Sequence, residues 1–71
     1  MTPFMHMKRT TGYRDIHGRE IYEGDYIRAK YEYLFQVYYD TALHRWMITD
    51  ETGHYRMELA RVVEFCEREN R

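Results

Sequence analysis

Apolar and polar residues alternate with a period of two through the middle of the chain, and that alternation predicts strands. Over residues 26–33, Ile27, Ala29, Tyr31 and Tyr33 share one face while Tyr26, Arg28, Lys30 and Glu32 share the other. Such a pattern marks a half-buried strand with a charged outer side. Residues 34–39 continue it with Phe35, Val37 and Tyr39 on one side, and their β-branched and aromatic character predicts a second strand. Residues 40–44 then serve as a return loop. A third strand is expected over residues 45–49, with Trp46 and Ile48 inward, followed by a short connection over residues 50–53 with Gly53 at a bulge. Residues 54–59 set Tyr55, Met57 and Leu59 against His54, Arg56 and Glu58 and complete a fourth. Short strands spaced roughly ten residues apart point to a small all-β barrel or sandwich.

The two ends are less regular. Leu59, Val62, Val63 and Cys66 stand at helical spacing, yet Val62-Val63-Glu64-Phe65-Cys66 also reads as a strand. An open four-stranded sheet leaves an edge that needs cover, which favours a short turn followed by a closing strand over residues 62–66. Residues 1–10 carry neither period, apart from large apolar side chains such as Phe4 and Met7. They are expected to form a loose N-terminal arm, leaving residues 11–71 as one domain.

Between arm and strands lies TGYRDIHGREIYEGDYI, residues 11–27, which holds three of the four glycines. Asp15-Ile16-His17-Gly18 predicts a tight turn: the carboxylate accepts backbone N–H bonds and the glycine takes positive φ. Its arms bring Tyr13 near residues 19–21. Glu23-Gly24-Asp25 predicts a second sharp turn that feeds the first long strand, with Asp25 bonding turn amides that otherwise lack partners. Thr11-Gly12, Asp15, Gly18 and the run Glu20-Ile21-Tyr22-Glu23-Gly24-Asp25 followed by Tyr26-Ile27 resemble the signature of the YopX family of phage and prophage proteins. The likeness covers about the first third of the chain and fades beyond Lys30. It implies an SH3-like barrel and a mobile-element origin, and it supplies no catalytic residue. The combined expectation is an all-β, SH3-like barrel of about five short antiparallel strands, with Gly12, Asp15, Gly18, Gly24 and Asp25 as its structural turn signature.

Composition narrows the function classes. A chain of 71 residues buries only about 60% of the surface its unfolded form exposes, so the core is thin. Cys66 is the sole cysteine, which excludes an internal disulfide and fits a reducing, cytoplasmic setting with a buried thiol. Neither a signal-peptide pattern nor a run of ~20 apolar residues is present. The 11 basic and 12 acidic side chains nearly balance, which argues against a dedicated duplex-DNA binder with a dominant basic field.

No cofactor or metal is expected. His6, His17, His44 and His54 share no metal spacing, and the Met5-His6-Met7 run reads better as a loose start than as a cuprous site. Asp15, Glu20, Glu23 and Asp25 with His17 are the one set resembling acid–base machinery, and turn or surface roles account for each member. The reading is therefore non-enzymatic.

Eight tyrosines, three phenylalanines and a tryptophan are many for this length, and tyrosine suits both a thin core and a contact surface. A binding face is expected at Tyr26, Arg28 and Lys30, with Tyr38 and Arg45 beside them. Its favoured use is protein–protein contact, either with a host or phage protein or through self-association at an exposed strand edge. The alternative is weak binding of single-stranded nucleic acid or RNA by the same aromatic and basic groups.

Overall fold

The computed structural model describes residues 8–29 and 33–69. The fold is all-β. Strands β1 (Thr10–Arg14) and β2 (Glu20–Tyr22) form a two-stranded antiparallel hairpin. The main sheet comprises β3 (Tyr26–Arg28), β4 (Leu34–Asp40), β5 (Arg45–Thr49), β6 (Arg56–Glu58) and β7 (Glu67–Arg68). Its order is β6-β5-β4-β3-β7, antiparallel throughout. Strands β3 to β6 form a meander, and β7 returns to pair with β3, in keeping with the small barrel expected from the sequence.

Alternation decides which side chains enter the core. Ile27 lies opposite Phe35, and Val37 opposite Ile48. All four are buried, together with Ile21 from the hairpin and Leu59, Val62 and Cys66 from the C-terminal segment. Tyr39 and Trp46 occupy the next opposed pair, edge to face at 5.0 Å. The Arg9 guanidinium lies 5.1 Å and 5.3 Å from their ring centres, a cation–π arrangement that ties the residues before β1 to the core. Thus β1 already begins at Thr10, the last residue of the expected arm.

Two expectations are corrected. The strand predicted over residues 26–33 ends at Arg28, and the Ala29 N–H donates to the Tyr33 carbonyl at 3.2 Å. Tyr33, expected inward, is 65% exposed. The closing strand predicted over residues 62–66 lies further on, at β7. Residues 59–65 instead form two 3-10 turns, Leu59–Arg61 and Val63–Phe65. These turns place Leu59, Val62 and Cys66 in the core at the helical spacing visible in the sequence. Short turns win because the chain must cross from the end of β6 to the far edge of the sheet while burying apolar groups three and four residues apart. The expected positions Lys30, Tyr31 and Glu32, and Phe4, Met5, His6 and Met7 of the arm, lie outside the described residues.

Candidate functional site

The turn signature forms a polar clasp. The Asp15 side chain has no exposed surface, and its carboxylate accepts the N–H groups of His17 and Arg19 at 2.9 Å each and that of Arg68 at 2.8 Å. The Arg19 guanidinium adds a fourth donor at 3.2 Å. Burial by itself pushes the Asp15 carboxyl up, but the three N–H groups and the neighbouring Arg19 charge outweigh it and hold the group below its usual value. Arg19 also donates to the Arg68 carbonyl, and Arg68 to the Glu20 carbonyl. The β1–β2 turn is thereby fastened to β7.

Gly24 sits at φ 86°, which only glycine adopts readily. Its N–H donates to the Val37 carbonyl at 2.8 Å, while the Asp25 carboxylate accepts the Tyr22 N–H at 2.8 Å. Gly18 at φ 79° closes the first turn with its N–H on the Asp15 carbonyl. Gly12 also takes positive φ, and its N–H donates to Thr10 Oγ1. The signature residues thus occupy separate turns, Gly12, Gly18 and Gly24 at positive φ and Asp15 and Asp25 as acceptors of backbone N–H groups.

The carboxylates of this region have internal partners. Glu23 faces the Arg9 guanidinium through two 3.2 Å contacts, and Glu20 accepts from the Thr10 and Tyr22 hydroxyls. The His17 Nε2 atom lies 3.0 Å from a Glu67 carboxylate oxygen. Cys66 is fully buried, and burial followed by the nearby Asp15 charge pushes its thiol up to about 11, well outside the range of a reactive thiolate. No grouping of three or more metal-ligating side chains occurs among the described residues.

The face expected from alternation exists in part. Tyr26 lies opposite Gln36, Arg28 opposite Leu34, Tyr38 opposite Met47 and Arg45 opposite Asp40, all on the side of the sheet away from Ile27, Val37 and Ile48. Its cations are paired: Arg28 Nε lies 2.8 Å from Glu69 Oε1, and Arg45 Nη1 lies 2.9 Å from Glu58 Oε2. The Tyr38 hydroxyl is buried and has no hydrogen-bond partner among the described residues. Four of the five expected members therefore share a face, with its two arginines already neutralised.

A second surface was not expected. An open groove of about 1000 Å³ runs between Tyr33 and Leu34 at the start of β4, the β5–β6 turn and the second 3-10 turn. Its walls include Tyr33, Phe35, Tyr55, Met57, Val62 and Phe65. Three of these rings remain substantially in solvent, Tyr33 at 65%, Tyr55 at 52% and Phe65 at 47%, while Tyr55 leans on the buried Phe35 ring at 5.9 Å.

The β5–β6 turn is rigidly built. The Asp50 carboxylate accepts from the Thr52 hydroxyl and from the N–H groups of Gly53 and Tyr55, and the Thr52 hydroxyl contact leads in holding it below its usual value. Each aromatic stands at the end of a segment, next to a turn, rather than within a strand. The alternation of the sequence sets Tyr33 and Tyr55 within strands, so nothing in it distinguishes them from the core aromatics.

Comparison of the chain with protein families, with curated proteins and with solved structures finds no match. No helix among the described residues is long and apolar enough to cross a membrane.

Proposed function

We propose that this protein is a non-catalytic binding module that acts through protein–protein contacts, with the aromatic groove as its contact surface. The observation that carries the reading is the grouping of Tyr33, Tyr55 and Phe65, three half-exposed rings drawn from separate segments onto one concave surface. Aromatic side chains dominate the energetics of protein contacts, and an exposed apolar patch on a soluble domain is the usual mark of an interaction site. The internal partners of the Asp15, Glu20, Glu23 and Asp25 carboxylates support a structural use of the one set that resembles acid–base machinery.

The nucleic-acid alternative loses ground on electrostatics. Phosphate binding draws on cations that release counterions, and Arg28 and Arg45, the two described arginines among the expected members of the Tyr26 face, are held by carboxylates. The likeness of residues 11–27 to the YopX signature adds a phage or prophage origin and a cytoplasmic setting in a bacterial host. Proteins of that setting, including a host enzyme to be modulated, are then the partners to look for.

The test is affinity capture from bacterial lysate with wild-type protein and with the Tyr55→Ser/Phe65→Ser variant as baits, each with and without nuclease. A stoichiometric protein retained by the wild type after nuclease treatment and lost from the groove variant supports the reading. Capture that disappears with nuclease, or that the Arg28→Glu change abolishes while the groove variant keeps it, sinks the groove as the contact surface.

A further inference from the structure

We infer that the aromatic groove is occupied by a second copy of this chain, in a two-fold symmetric dimer. This rests on the groove being the contact surface and adds the identity of the occupant. The charged groups among its described walls are Asp50, Glu51 and Arg61. Asp50 and Glu51 lie in the turn before β6, whereas Arg61 lies in the 3-10 turn after it. Opposite charges therefore flank one short strand.

A two-fold interface sets each residue against its counterpart's neighbours, so that residue i meets j and j meets i. A rim with an acidic flank and a basic flank is complementary to itself under that operation. Arg61 of one copy meets Glu51 of the other, and the reverse contact forms at the symmetric position. Glu51 and Arg61 are both exposed, and neither makes an ion pair or hydrogen bond among the described residues, so both are available. Asp50 is already saturated by its turn and contributes only its charge.

The apolar contribution of the groove is modest. An aromatic side chain buries roughly 150–250 Å² when fully covered, so the exposed parts of Tyr33, Tyr55 and Phe65 supply on the order of 300 Å² per copy. A standard interface takes about 800 Å² from each partner. The groove alone therefore supplies less than half of a standard interface, which makes the association a weak one that the rim charges steer. A chain this small also gains from association, because a thin core is a common reason for small domains to oligomerise.

The charge pattern gives a test that does not depend on the fold failing. Glu51→Arg and Arg61→Glu alter exposed side chains without partners among the described residues, so both variants fold. Wild-type protein is expected to sediment as a dimer. Each reversal shifts the monomer–dimer midpoint upward by roughly tenfold or more, because like charges then face each other twice. An equimolar mixture of the two variants restores association. The Glu51→Arg copy carries two basic groups and the Arg61→Glu copy two acidic ones, so both cross-contacts pair opposite charges. Native mass spectrometry reads the mixed species directly.

Wild-type protein that stays monomeric at millimolar concentration overturns the inference, as does a dimer insensitive to both reversals and to Tyr55→Ser. In either case, loss of a captured partner by the groove variant in the lysate experiment leaves the binding-module reading standing. Failure of the inference and failure of that reading are therefore separate results.

Discussion

The clasp at Asp15 and the groove at Tyr55 are built from opposite materials. At the clasp, one buried carboxylate takes four donors from His17, Arg19 and Arg68 and joins the hairpin to the last strand. At the groove, three aromatic rings and two unpaired charges face outward with nothing of the described chain covering them. A thin core leaves few places to hide polar groups, so those that hold the fold are concentrated where donors converge. The exposed aromatic rings gather at the groove, while the exposed aliphatic side chains Ile16 and Leu43 stand apart from it. Polar saturation marks the part serving the fold, and uncovered aromatic surface marks the part serving a partner.

The comparison is broken most directly at Asp15. Asp15→Ala leaves the N–H groups of His17, Arg19 and Arg68 without their acceptor, and breaking a buried charged network costs about 3–5 kcal/mol. Against a total expected of roughly 3–5 kcal/mol for a domain this size, the variant should be largely unfolded by circular dichroism. A variant with an unchanged melting temperature would show that the clasp holds nothing.

Acid provides the same perturbation without mutation. The Asp15 carboxyl is held below its unfolded value of about 3.9, so its contribution is present above that pH and is lost as pH falls through the lower folded value. Stability measured by urea unfolding should therefore be steady from pH 7 to about 5 and drop below about 4. A stability profile that instead falls between pH 7 and 6 would point to histidine as the controlling group.

Gly24 gives an intermediate effect. Nothing lies within 4 Å of a Cβ built at this position, so the penalty of Gly24→Val is the left-handed φ alone, about 1–2 kcal/mol. Thermal unfolding should show a lowered but cooperative transition, and complete loss of folding would mean that the turn carries more than a backbone requirement. The smallest effect on stability belongs to the groove. Tyr55→Ser and Phe65→Ser change half-exposed rings and should move stability by about 1 kcal/mol or less, while abolishing partner capture. If either variant loses several kcal/mol, the ring is core and the contrast between the two regions fails.

Alternation made β4, β5 and β6 legible, because Phe35, Val37 and Ile48 enter the core at every second position, although Met47 on the opposite side of β5 is buried as well. Asp15 and Gly18 were legible because turn chemistry is local, and the structure adds only that the Asp15 carboxylate reaches Arg68. The end of β3 was not legible. The pattern of Ala29, Tyr31 and Tyr33 continues smoothly past Arg28, and nothing in it signals that the Ala29 N–H will turn to the Tyr33 carbonyl. The C-terminal segment offered two periods at once, and the helical one at Leu59, Val62 and Cys66 was the truer.

Tyr26, Arg28, Tyr38 and Arg45 lie on one side of the sheet, yet Glu58 and Glu69, which pair with these arginines, come from other segments. The groove was hidden for a similar reason. Tyr33, Tyr55 and Phe65 are far apart in the chain, and only the return of the 3-10 turns brings them onto one surface.

The bond from the Arg68 amide to Asp15 spans 53 positions of the chain, which bears on synthesis as well as on structure. A chain leaving the ribosome presents the hairpin first and β7 last. Until residue 68 clears the exit tunnel, the Asp15 carboxylate lacks a donor it will be buried against, and β3 has only one of its two neighbours. Long-range closures of this kind slow folding toward the millisecond-to-second range. The clasp of the nascent protein therefore closes only once translation has passed Arg68.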